Sequence, residues 1–225
     1  MAQGGGGPTP QGPDPYWSNV VSLLHLDGAE GSTSFQDVNG NTWSAVGDAK
    51  ISTIRGVSGG ASLMLAPSGD SYISSNMTMP TFLGPFTFEL FAYAPAGLIA
   101  PFALAFVVSG NGFILTANAD GKLVVGARSV NENIVTASVP LPRDTFVHIA
   151  VARDSNGYLR IFQNGQLVGS VVYSSVFNGA NTQLGAFTSL SQYFRGGFID
   201  EFRVTLDVAR YISDFTVPNV PFPDY

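Results

Sequence analysis

Gly196-Gly-Phe-Ile-Asp-Glu-Phe-Arg-Val-Thr-Leu-Asp-Val-Ala-Arg-Tyr211, continued by Asp214-Phe-Thr-Val-Pro218, decides the reading of this chain. Two glycines open a β-rich run from Phe198 to Thr205, and a turn bearing Arg210 and Tyr211 closes it. Strand side chains alternate between faces with period two. Phe198, Asp200, Phe202 and Val204 therefore fall in one phase, and Ile199, Glu201 and Arg203 in the other. Asp200 is thus expected beside two phenylalanines and a valine. An ionised carboxylate on an apolar face costs several kcal/mol unless it is paired, hydrogen-bonded or bound to a cation. Here the sequence asks for a partner.

Outward from this run, the same period recurs. Phe86-Thr-Phe-Glu-Leu-Phe-Ala-Tyr93 alternates, with Phe86, Phe88 and Leu90 on one face; Val147, Ile149 and Val151 share a face in Phe146 to Val151. Shorter strands are expected at Val20 to Leu26, Thr42 to Val46, Ser62 to Leu65 and Ser71 to Ser74. Phe102 to Val108, Phe113 to Ala117, Leu123 to Ala127 and Ile134 to Val139 continue the series. Asp120-Gly121, Asn156-Gly157 and Asn164-Gly165 are hairpin turns, so residues 146 to 172 read as a three-stranded meander. Helical periodicity is absent beyond a single turn near Leu206 to Tyr211. Many short alternating strands joined by glycine-rich turns predict an all-β chain of two antiparallel sheets packed face to face. The expected core is Leu24, Leu26, Leu63, Phe86, Phe88, Leu90, Val147, Ile149, Val151, Leu159, Ile161, Phe202 and Val204.

Three segments carry a family resemblance. The Phe198 strand with its Val-Ala-Arg-Tyr turn and Phe-Thr-x-Pro exit resembles the last core strand of the concanavalin A-like lectin/glucanase superfamily. It is most similar to the laminin-G-like jelly-roll modules of tailed-phage structural proteins. Leu23-Leu-His-Leu-Asp-Gly-Ala-Glu-Gly-Ser-Thr-Ser-Phe-Gln-Asp37 resembles the first strand and following loop. Phe146-Val-His-Ile-Ala-Val-Ala-Arg153 with Leu159-Arg-Ile-Phe-Gln-Asn-Gly165 resembles the central hairpin. The resemblance implies a jelly-roll sandwich over residues 18–217; Gly- and Pro-rich composition marks an extended arm over 1–17 before it and a Pro-rich tail over 218–225 after it. One fold hosts many functions, so it speaks less to ligand.

Composition narrows the function classes. The chain has 225 residues, a length common for one all-β domain. Charged residues are 12%, about half the usual ~25%, which points to a surface partly covered by other subunits and to a homo-oligomer. A net charge of −6 with scattered Lys and Arg opposes nucleic-acid binding. There is no cysteine, so disulfides and thiolate metal sites are excluded. No basic-then-apolar leader opens the chain, and no run nears the ~20 apolar residues of a membrane span. Both suit a protein made in the host cytoplasm and built into a virion. Residues 1–15 are Gly- and Pro-rich; Gly4, Gly7, Pro8, Pro10, Pro13 and Pro15 are the candidate docking residues of the arm.

The chemistry-bearing residues divide as follows. Hydrolases on this fold carry carboxylates at i, i+2 and i+4 of one strand; no such triplet exists here, and Asp200 and Glu201 are expected on opposite faces. His25 and His148 lack a Gly-x-Ser-x-Gly elbow to serve, and His148 reads as a structural strand residue. The resemblance implies a structural calcium ion held by Asp27 and Asp200. The residues alone equally allow Asp200 to accept backbone amides or to pair with Arg210. Sugar stacking would draw on Trp43, Tyr72, Tyr93, Tyr158, Tyr173 or Tyr193. Arg210 and Tyr211 are expected to anchor the chain's return over the sandwich. The leading expectation is a non-enzymatic virion structural protein (capsid decoration, head-fibre or tail-associated) docked through its arm. The alternative is an adhesin that binds a host-surface or environmental glycan.

Overall fold

The computed structural model describes residues 12–57, 60–76, 78–82, 84–107, 109–128, 132–218 and 221–225. The strands in chain order begin with β1 (Val20–Leu24), β2 (Phe35–Gln36), β3 (Thr42–Val46), β4 (Lys50–Ser52), β5 (Ser62–Met64), β6 (Tyr72–Ser75) and β7 (Thr78–Phe82). Next come β8 (Phe86–Tyr93), β9 (Phe102–Val107), β10 (Phe113–Ala117), β11 (Lys122–Ala127), β12 (Glu132–Pro140) and β13 (Phe146–Arg153). The series ends with β14 (Tyr158–Gln163), β15 (Gln166–Val172), β16 (Phe177–Ala180), β17 (Thr182–Leu184), β18 (Ala186–Phe187), β19 (Gln192–Tyr193) and β20 (Phe198–Leu206).

Two antiparallel sheets result. The first has the order β15-β14-β13-β8-β20-β5-β4, with β1 also on β20; the second runs β12-β11-β10-β9-β17-β6-β3-β2. Their facing sides bury one core, because alternate residues of every long strand are apolar. Phe88 of the first sheet lies 5.0 Å from Phe113 of the second and 4.9 Å from Phe202 of its neighbour, ring centre to ring centre. All of the core residues expected from sequence lie in this cluster. The meander β13-β14-β15 forms as read, and its Asn164-Gly165 turn has positive φ at both residues.

The phase of β20 departs from the sequence reading. Asp200 pairs with Phe91 and Arg203 with Glu89, so an extra residue bulges from β20 between them, and Glu201 adopts φ +49°. A bulge of this kind resets the alternation by one position. Ile199, Phe202 and Val204 point into the core. Asp200 instead sits across from Phe91 on the outer face, not in phase with Phe202 and Val204. The bulge also cancels the opposite-face expectation for Asp200 and Glu201, since both carboxylates meet outer segments. The cause lies in the pairing: β20 is flanked by β5 at Phe198–Ile199 and by β1 from Phe202 onward, and the bulge falls where one partner ends and the other begins.

The outer face of the first sheet is covered by the chain ends. After β20 the chain crosses this face, stacking Tyr211 on Phe215 at 3.7 Å and packing Phe215 against Phe162. Phe222 is buried with Val20, Leu23 and Phe91. The Asp14 amide donates to the carbonyl of Tyr225. Residues 12–17 and 221–225, read from sequence as arm and tail, thus lie along the sandwich. Gly4, Gly7, Pro8 and Pro10 fall outside the described residues; Pro13 and Pro15 are exposed on either side of buried Asp14.

Candidate functional site

The carboxylates come first, since catalysis on this fold would need them. Glu89 (β8) is wholly buried on the outer face of the first sheet. It accepts from Arg203 Nε and Nη2 at 3.0 and 2.9 Å, from Tyr211 Oη at 2.9 Å, and faces His148 Nε2 at 3.1 Å. Burial alone would push this carboxyl up, but the Arg203 guanidinium, His148 and Arg210 hold it down at about 2. Tyr211 is pushed well up by burial and by the Glu89 carboxylate. Asp14 closes the network, accepting from Arg203 at 3.0 Å and from both terminal nitrogens of Arg210 at 3.0 and 2.7 Å. Arg210 also donates to Thr205 Oγ1, and its amide to Thr87 Oγ1. Two arginines and two acids neutralise one another beneath the tail, which is how charges persist without water. Arg210 and Tyr211 anchor the returning chain here.

The second group surrounds the bulge. Asp200 directs one oxygen to the Val57 amide at 2.7 Å and the other to the Glu201 amide at 3.0 Å. Asp200 thus accepts from two backbone amides, while Arg210 pairs with Asp14. Glu201 meets His25 Nδ1 at 3.0 Å and accepts the Phe222 amide at 2.9 Å. Burial would lower His25, yet Glu201 and the acids Asp224 and Asp27 raise it. Asp27 lies at the mouth of a cavity of about 530 Å³ beside His25 and Val38, and desolvation and Glu201 raise its carboxyl. Among the described residues, no group of three or more His, Asp or Glu side chains converges to hold a metal ion.

The aromatic candidates separate clearly. Trp43 is buried and donates to Asp37; Tyr173 packs on Phe177; Tyr93 lies under the Arg55 guanidinium and bonds Asp144. Tyr158 lies under the Arg160 guanidinium at the end of β14, away from any cavity described here. Tyr72 and Tyr193, by contrast, are brought together at one end of the sandwich, 6.4 Å apart. Beside them opens a cup of about 440 Å³, walled by Pro67, Pro95, Leu98, Ile99, Tyr193 and Arg195. Ile99 is 84% exposed at its lip.

Arg195 stacks over Tyr193 at 4.9 Å, donates to the Gly69 carbonyl at 3.1 Å and pairs with Asp70 at 3.2 Å. Tyr193 is buried beside Asp70, and burial and the Asp70 carboxylate both raise its hydroxyl. The cup thus offers a mainly apolar wall that includes Arg195, with Asp70 paired to Arg195 beside it, and its volume falls within the ~300–1,000 Å³ common for small-ligand sites. Sequence reading named the two tyrosines but missed Arg195 and Asp70. These sit 125 positions apart, and no local pattern joins them.

The fold has known counterparts. The binding domain of Paraclostridial Mosquitocidal Protein 1 superposes with a TM-score of 0.66 at 12% identity, over 87% of this chain and 50% of that one. The botulinum neurotoxin serotype D binding domain gives 0.65 at 12% identity, over 86% and 49%. Domain 4 of AbnA, an extracellular arabinanase from Geobacillus stearothermophilus solved with arabinotriose, gives 0.61 at 19% identity, over 84% and 92%. The chain spans about half the length of the two toxin domains. No curated protein matches it. Residues 67–208, more than half of the sequence, match the concanavalin A-like lectin/glucanases superfamily, and the chain belongs to that superfamily.

Proposed function

We propose that this protein is a non-catalytic binding module whose cup at Tyr193 and Arg195 grips a saccharide, and which is carried on a larger assembly by its N-terminal segment. The observation that carries this reading is the cup itself, an apolar wall with one donor–acceptor pair at its edge. Sugars present the matching surface, an apolar C–H face edged by hydroxyls. Glycosidases need two carboxylates about 5–9.5 Å apart across an open cleft. Here Glu89 is buried, ionised and fully engaged under the tail, which supports binding over hydrolysis.

The layout supports display. Asp14, root of the N-terminal segment, is clamped near Thr87 and Glu89, and the cup begins beyond Tyr93 on the same strand. From Glu89, in the middle of the strand, to Pro95 beyond its end is about 20 Å of extended chain, so attachment and binding would be kept apart. A virion surface, as decoration, head fibre or tail-associated protein, is the assembly we propose from the sequence resemblance.

A glycan array with the full chain and with Tyr193→Ala, run beside a reducing-sugar release assay, tests the reading. Expected are glycan signals that Tyr193→Ala abolishes, and no sugar release. Array silence for the wild-type chain, or release of sugar, overturns it.

A further inference from the structure

Resting on the saccharide reading of the cup, we infer that its ligand is an uncharged saccharide, held by a vicinal diol between Asp70 and Arg195. Arg195 is the cation at this site, and its charge is already compensated by Asp70. One terminal nitrogen is paired with Asp70, its Nε is given to the Gly69 carbonyl, and one face lies on the Tyr193 ring. A carboxylate or sulfate on the ligand would reach the remaining Arg195 donors only with the Asp70 carboxylate beside it, and the like charges repel. The chain's net charge of −6 adds long-range repulsion to the same ligand. A cationic ligand meets the converse obstacle, because the Asp70 carboxylate is already paired with Arg195.

A diol has no such difficulty. Both members of the pair are more than a third exposed, with side-chain exposures of 42% for Arg195 and 59% for Asp70. Each keeps hydrogen-bonding capacity beyond its present bonds: a guanidinium carries five N–H donors and a carboxylate about four acceptor sites. Adjacent hydroxyls can therefore accept from Arg195 and donate to Asp70 without breaking the pair. The C–H face of the same sugar ring falls against Pro67, Pro95 and Leu98, and Ile99 covers it from the lip. Asp70 is accordingly a specificity-determining residue: it supplies an acceptor and also excludes acidic sugars.

The test is a calorimetric titration of the full chain with two sets of oligosaccharides, one neutral and one bearing sialic or uronic acids. Wild type and two variants, Asp70→Asn and Arg195→Met, are compared at 50 and 300 mM NaCl. Expected is binding of neutral members with little salt dependence. Arg195→Met should lose at least tenfold in affinity. Asp70→Asn should weaken neutral binding and gain affinity for the acidic set, since it frees the guanidinium while keeping an amide oxygen at that position. Far-UV circular dichroism checks that each variant is folded. Should the wild-type chain bind only acidic oligosaccharides, with affinity falling steeply in salt, the inference fails while the saccharide reading stands. If neither set binds, both fail. Asp70→Asn without any change in neutral-against-acidic preference also overturns the inference.

Discussion

Glu89 shows how far one residue's neighbours can set its state. A lone buried carboxyl would be protonated, yet Arg203, His148 and Arg210 keep it ionised. Removing it leaves two guanidinium groups with Asp14 as their shared carboxylate in a dry layer. Glu89→Leu should therefore cost about 3–5 kcal/mol by urea unfolding, and Glu89→Gln, which keeps an acceptor, less. The double variant Glu89→Leu with Arg203→Met should recover part of that loss; a strictly additive result would dissolve the network argument. Asp200 teaches the complementary lesson. Its need for a partner was legible in the sequence, but the identity of that partner was not. The Val57 amide becomes available only because a bulge carries Asp200 to the outer face.

At the scale of elements, the hairpin of β14 and β15 depends on Gly165. Its φ is +77°, and an added Cβ would collide with the carbonyl of Phe215, where the returning tail crosses the turn. Gly165→Ala should cost at least about 1–2 kcal/mol from the left-handed backbone alone, read by thermal unfolding. It should also loosen the tail, seen as faster amide exchange at Phe215, which donates to the Gly165 carbonyl. Asp14 lets the N-terminal segment be cut on either side of a buried ion pair. Truncation of residues 1–16 removes Asp14 and truncation of residues 1–11 keeps it. The difference between their unfolding temperatures should be on the order of 10 °C, from roughly 3 kcal/mol at ~2–4 °C per kcal/mol. Equal temperatures would mean that Asp14 clamps nothing.

The long strands were readable because their alternation is clean, and Asn-Gly and Asp-Gly turns fixed their pairing. Strands β17, β18 and β19 escaped because two or three residues cannot display a period. The β20 bulge escaped because an inserted residue is defined only against the strand it faces. Asp14 was hidden by its setting, since the prolines on both sides read as an arm.

For the whole molecule, the buried ion network fixes a pH dependence. Glu89 lies at about 2 when folded, against an ordinary 4.5. A depressed carboxyl stabilises the fold fully above its unfolded value and ceases to do so as pH falls through its folded one. Asp14 is shifted in the same direction, since Arg210 and Arg203 outweigh its burial. Stability should thus rise as pH falls through the raised His25 toward its ordinary 6.5, and then fall between about 4.5 and 2, by on the order of 3 kcal/mol from Glu89. Urea unfolding across that range reads it, and a loss starting well above pH 5 would assign the transition to other groups. The same network closes the outer face of the first sheet, while the end cup, where we propose the ligand binds, stays open.

Backbone amide shift mapping of the full chain, titrated with a neutral oligosaccharide from the array, tests that claim most directly. The account predicts perturbations confined to residues 67–72, 95–99 and 193–197. Perturbations centred on Glu89, His148 and Arg203, or none at saturating sugar, would contradict it.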